Sequence, residues 1–175
     1  MLLFAHIGLA IATNRFWSRA SLKFLALGSI LPDLIDKPLM FIVPGMPGRA
    51  LAHTLLFLIL LSMVALFMKD LRLTSMAAGV LGHFILDYMW ASPKILFWPL
   101  LGAFSLAHPT DVSSHIEILL AGLKYPDIWV PELLGLLLIS SWAWESWKTY
   151  GFNSREYISR IYGSAQILLQ TLSKW

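Results

Sequence analysis

The sequence predicts an all-α integral membrane protein: a compact, polytopic bundle of short transmembrane or re-entrant helices, followed by a C-terminal amphipathic helix. Three observations predict it. Of the 175 residues, 58% are hydrophobic and 13% charged, whereas soluble domains carry about 25% charged residues. So little charge cannot cover a water-soluble globule. Residues 55–68 hold no charged side chain, and Trp142, Trp144 and Trp147 close the last apolar segment in the manner of an interfacial aromatic belt.

The elements follow in order. Met1–Ala12 reads as a short apolar helix, without the basic leader of a signal peptide and therefore expected to stay on the mature protein. A basic turn at Asn14, Arg15 and Arg19 precedes a second helix over about 21–31, which Pro32 is expected to break. Residues 37–50 carry Pro38, Pro44, Pro47, Gly45 and Gly48 and predict an irregular loop. Two spans of about 18 residues each follow, 51–68 and 73–90, joined by the polar turn Lys69-Asp70-Leu71-Arg72. They lie at the short end of what crosses a hydrocarbon core of about 30 Å. Residues 94–107 predict a re-entrant or interfacial stretch, Pro109 the first residue of a helix to Lys124, and 128–147 a last span. In the tail, Asn153 and Glu156 form a capping box. Ile158, Ile161, Tyr162, Ala165, Leu168 and Leu172 then recur at helical spacing, which suits a helix lying on the membrane surface or packed on the protein's own core.

This divides the chain into a membrane-embedded domain, 1–150, and a surface helix, 151–175. The formal net charge of +3 is too small and dispersed for a nucleic-acid footprint but suits anionic headgroups. The lipid bilayer is the expected partner, the cell membrane the expected location, and oligomeric state is left open. The absence of cysteine excludes disulfides and thiolate metal sites.

Ionisable groups inside apolar segments carry the chemistry, because each costs about 2.5–3.5 kcal/mol at a helix centre. They are His6, Asp33, Asp36, His53, His83 and Asp87, all imidazoles or carboxylates, the donor set for zinc and similar ions. His83 and Asp87 are i and i+4 on one helix face. Asp33 and Asp36 are i and i+3, placed by the expected break in a loop. In an antiparallel hairpin centred between Asp70 and Leu71, residue 53 lies level with residue 88, so His53, His83 and Asp87 gather at one end. Singly, each has an ordinary role: a core histidine, a helix cap, a lysine partner. Together they predict a divalent metal site, zinc first. Arg49, four residues before His53, reads either as an anchor for an anionic substrate group such as phosphate or as an interfacial arginine. Asp111 and His115, near His108 and Glu117, form a second i, i+4 pair that a solvated helix face explains equally well.

At these residues the sequence resembles the YdjM-like family of membrane-bound metal-dependent hydrolases. Four blocks carry the resemblance, all within the first hundred residues: His6 with Gly8; Gly28 through Asp36; Arg49 through His53 and Thr54; and His83 to Asp87 followed by Trp98-Pro99. The family's third block reads His-Arg-Gly-x-Thr-His-Ser; here Gly48, Ala50, Ala52 and Thr54 replace its first His, Gly, Thr and Ser, while Arg49 and His53 are kept. Through its distant similarity to zinc-dependent phospholipase C and P1-type nucleases, the resemblance implies His6, Asp33, His53, His83 and Asp87 as ligands of one or two metal ions. Asp36 is then the candidate to orient or deprotonate the attacking water.

The expected function is hydrolysis of an ester or phosphodiester by metal-activated water, on a small-molecule or lipid-like substrate. A non-enzymatic membrane protein that binds or transports a divalent ion is the alternative. In a third reading the polar groups only hold helices together.

Overall fold

The computed structural model describes residues 3–105, 116–117, 120–122 and 124–150. The surface helix expected at 151–175, and His108, Asp111 and His115, lie outside the described residues. All regular structure among the described residues is helical: α1 (Leu3–Phe16), α2 (Leu22–Ile42), α3 (Leu55–Met68), α4 (Leu71–Leu86), α5 (Pro93–Leu96) and α6 (Pro126–Tyr150), with 3₁₀ turns at Leu51–His53 and Met89–Ala91.

Two compact units are present, residues 1–139 and 140–175. In the first, α2 and α4 form the central pair. They approach backbone to backbone at Gly28 and Gly79, where an added Cβ at Gly79 would lie 2.8 Å from the Ser29 nitrogen. Only glycine permits that approach. Gly8 of α1 meets Gly135 of α6 in the same way. Val80, Phe84 and Met89 make one apolar cluster, packed by Leu31, Phe57, Leu61 and Ile95. Ala10, Ala20 and Leu25 make another with Trp17 and Ala78. In the second unit, described through residue 150, Lys148 lies 5.1 Å over the Trp144 ring.

Two expectations need correction. Pro32 does not end the second helix. α2 runs for 21 residues with Pro32 and Pro38 inside it, because packing against α4 outweighs the lost backbone bonds. Asp33 and Asp36 are thus helical residues, and the loop shrinks to 43–50. The expected spans are also interrupted. A 3₁₀ turn and Thr54, whose hydroxyl accepts the Phe57 N–H, start α3 at Leu55, leaving 14 residues, about 21 Å at helical rise. The αL conformation at Lys69 and the Asp70 cap on the Arg72 N–H separate α3 from α4. No helix among the described residues is long and apolar enough to cross a membrane.

The apolar surface the composition foretold is nonetheless there. α3 is apolar all round, yet among its side chains only Ala65 is buried, and Ile59, Leu60, Met63 and Phe67 are 45%, 52%, 60% and 91% exposed. Such a helix needs either a core or lipid around it.

Candidate metal centre

α1, α2, α4 and the 3₁₀ turn deliver all five expected ligands to one place. His6, His83 and Asp87 bring donor atoms within 4.8 Å of one another, as do Asp33, His53 and His83, so His83 belongs to both groups. His6 Nε2 is 3.5 Å from Asp87 Oδ1. His83 Nε2 is 3.8 Å from Asp87 Oδ2, and His53 Nε2 is 3.6 Å from Asp33 Oδ1. His6, His53, His83 and Asp87 are all buried.

Hydrogen bonds fix which ring nitrogens face inward. The Asp36 carboxylate, fully buried, accepts the backbone N–H groups of Ala50 at 2.7 Å and Ala52 at 3.1 Å. It also lies 2.7 Å from His53 Nδ1. An ionised carboxylate only accepts, so Nδ1 carries the proton. His83 Nδ1 lies 2.8 Å from the Ser29 carbonyl, also an acceptor, and must be protonated too. In neutral rings this leaves both Nε2 atoms with lone pairs, and they face each other at 3.1 Å. Two lone pairs at that distance repel unless a cation lies with them. Two imidazoles on one tetrahedral zinc ion, with Zn–N about 2.0–2.1 Å, stand about 3.3 Å apart. The donor set therefore fits a divalent ion, with Asp36 and the Ser29 carbonyl in the outer role that fixes tautomer and ring orientation.

The electrostatics agree. Burial drives the His83 imidazole down to about 4, and the neighbouring His6 acts in the same sense against Asp87. Burial would raise Asp87, but the facing His6 imidazole and the Arg49 charge outweigh it and hold the carboxyl well below the usual range. Asp36 is likewise opposed by burial and held low by His53, Ala50 and Ala52.

Asp36 has both oxygens engaged by these three donors, so its placement suits holding His53 rather than meeting a water. Arg49 reaches inward: its Nη2 lies 2.8 Å from Asp87 Oδ2, with the guanidinium side chain 38% exposed. Sequence reasoning missed Lys37, whose Nζ lies 2.6 Å from Asp33 Oδ2. The signal was available, since the two are i and i+4 on α2. It also missed the Ser29 carbonyl, which no side-chain pattern announces. Glu117, near the second expected pair, is exposed.

Residues 1–154 match the YdjM inner membrane protein family. The chain belongs to that family. Membership associates this YdjM-family protein with the cell membrane, in keeping with the exposed apolar surface of α3. No curated protein and no solved structure matches the chain. The matched region holds every described residue of the centre.

Proposed function

We propose that the protein is a membrane-embedded, metal-dependent hydrolase acting on an ester or phosphodiester bond. The observation that carries this reading is the opposed pair of His53 and His83 Nε2 atoms at 3.1 Å. Each ring is held by an acceptor on its far nitrogen, and carboxylates lie on both flanks. His6, Asp33, His53, His83 and Asp87 would hold one or two divalent ions, zinc first. Such an ion would supply Lewis acidity and a water acidified toward neutral pH.

The chain's own residues do the rest. Asp36 locks His53, and the Ser29 carbonyl locks His83. Asp33 and the side chains of Lys37 and Arg49 remain partly exposed at the rim, where a substrate meets the buried donors. The apolar faces of α3 would seat this opening near lipid and supply lipid-like substrates. An ion-binding or ion-transporting protein without catalysis uses the same ligands. The rim cations favour the enzyme, because they repel a metal ion in passage and attract a substrate oxyanion.

The test is metal content by mass spectrometry on detergent-purified protein, beside His83→Ala and Asp87→Ala, followed by hydrolysis of phosphodiester and carboxylic ester probes with and without chelator. The reading expects one or two ions per chain, lost in both variants, and hydrolysis that stops on chelation. A wild type that stays metal-free in excess zinc and manganese overturns it, and so does hydrolysis that survives exhaustive chelation.

A further inference from the structure

Lys37 and Arg49 occupy equivalent places. Each of the carboxylates Asp33 and Asp87 faces imidazoles on its inner side: Asp33 faces His53, and Asp87 faces His6 and His83. Each also meets one side-chain cation from outside, Lys37 at 2.6 Å and Arg49 at 2.8 Å. The cation side chains are 37% and 38% exposed, whereas the side chain of Asp87 is 3% exposed and that of His53 is fully buried. Lysine has three N–H donors and arginine five, so contact with one carboxylate leaves donors over at the rim. The Lys37–Asp33 pair, partly exposed at both ends, contributes little to stability, so holding the fold together is a weak account of it. Arg49 offsets the buried charge of Asp87 and still keeps part of its guanidinium at the rim.

Charge decides when those donors can take a ligand. Among the described side chains, the carboxylates of Asp33, Asp36 and Asp87 face the cations of Lys37 and Arg49, with no surplus positive charge to attract an anion. A divalent cation held by the carboxylates and imidazoles would supply that surplus, and would compete with Lys37 and Arg49 for Asp33 and Asp87. We propose that Lys37 and Arg49 form a metal-gated seat for the oxyanion of a phosphate ester, so that the anion binds only when the divalent ion is present. This rests on the metal reading above and narrows its substrate class from esters in general to phosphate esters. Because coupling between two ligands is reciprocal, phosphate must also tighten metal binding.

The experiment titrates inorganic phosphate by calorimetry into full-length, detergent-solubilised protein, metal-free and zinc-loaded. Lys37→Met, Arg49→Met and the conservative Arg49→Lys are run in parallel, with zinc per chain and helix content measured on every sample. The proposal expects no phosphate binding to metal-free protein and saturable binding to the zinc-loaded form. It expects each Met variant to keep its zinc and helix content but lose phosphate affinity by about tenfold or more, with Arg49→Lys intermediate. Short-chain phosphatidic acid in the same detergent separates the sources of the anion. Tighter binding than inorganic phosphate assigns the seat to a lipid headgroup, and equal binding assigns it to a soluble phosphate ester. Metal-free protein that binds phosphate as well as the zinc form overturns the gating, while the metal reading stands. Met variants that keep full phosphate affinity overturn the seat. If the wild type takes up no metal, both readings fall together, and the zinc measurement alone shows it.

Discussion

Replacing Asp36 by Asn preserves the shape of the side chain and removes its charge, at a fully buried position that organises three donors. The Asn carbonyl can take over Oδ2, which serves the Ala50 N–H and His53 Nδ1. The new NH₂ group then points at the Ala52 N–H, formerly 3.1 Å from Oδ1. Hydrogen bonds to a charged group contribute about 1.5–3 kcal/mol against about 0.5–1.5 for neutral ones, and a buried donor without a partner costs about 1–3 kcal/mol. Two bonds weakened by about 1 kcal/mol each, plus one donor stranded, sum to about 3–5 kcal/mol. Against a total stability of about 5–15 kcal/mol, the variant still folds but unfolds at clearly lower denaturant. Helix content followed through a denaturant titration in detergent measures this. The same change loosens the hold on the His53 tautomer, so on the metal reading zinc affinity should fall about 10- to 100-fold, the usual cost of losing a group that orients a metal ligand. An Asp36→Asn protein that unfolds within about 0.5 kcal/mol of wild type and binds zinc equally well would falsify the anchoring role.

Gly79→Ala drives a Cβ into the Leu25 carbonyl and to 2.8 Å from the Ser29 nitrogen. It should destabilise by about 1–3 kcal/mol or more and, by moving the Ser29 carbonyl, weaken zinc binding; a calorimetric titration with unchanged affinity contradicts this. Zinc in hundredfold excess over its Kd should add about 2.7 kcal/mol to stability, read as a raised unfolding midpoint that chelator reverses; a midpoint indifferent to both argues against the site. Leu60→Asp, on the exposed face of α3, should leave unfolding in detergent within about 0.5 kcal/mol. It should also reduce flotation with liposomes, since a charge in the bilayer centre costs about 2.5–3.5 kcal/mol; undiminished flotation shows that α3 does not face lipid.

The candidate centre was legible because burying ionisable groups in apolar helices is costly, which made His6, His53, His83 and Asp87 conspicuous without any structure. The path to their convergence was less so. Helical-rise arithmetic put His53 beside Asp87, but His53 belongs to a 3₁₀ turn outside α3, where that arithmetic does not apply. Its ring lies on His83 because Asp36 gathers Ala50, Ala52 and His53 onto α2. Pro32 was misread for a related reason. A proline's local cost is visible in sequence, whereas the packing of α2 on α4 that overrides it depends on Gly28 and Gly79 meeting across more than forty residues of chain. The length of α3 was overread because the uncharged run continues through Leu51 and Ala52, while Thr54 ends the helix with a side-chain cap that periodicity does not register.

The arrangement also bears on whether the cluster is the proposed ligand site or polar glue between helices. Glue works by pairing donors with acceptors, and the outer half of this cluster does so: Ser29 with His83, Asp36 with His53, Ala50 and Ala52. Those bonds would hold α2, α4 and the 3₁₀ turn together whatever lay beyond them. By committing both Nδ1 protons outward, they force two acceptors to oppose each other inward at 3.1 Å, with Asp33 and Asp87 adding acceptors on either side. Cohesion alone has no use for that opposition, since two facing acceptors lose their water and gain no hydrogen bond with each other. The outer bonds thus maintain an inner surplus of electron pairs, which on the proposed reading a cation would answer.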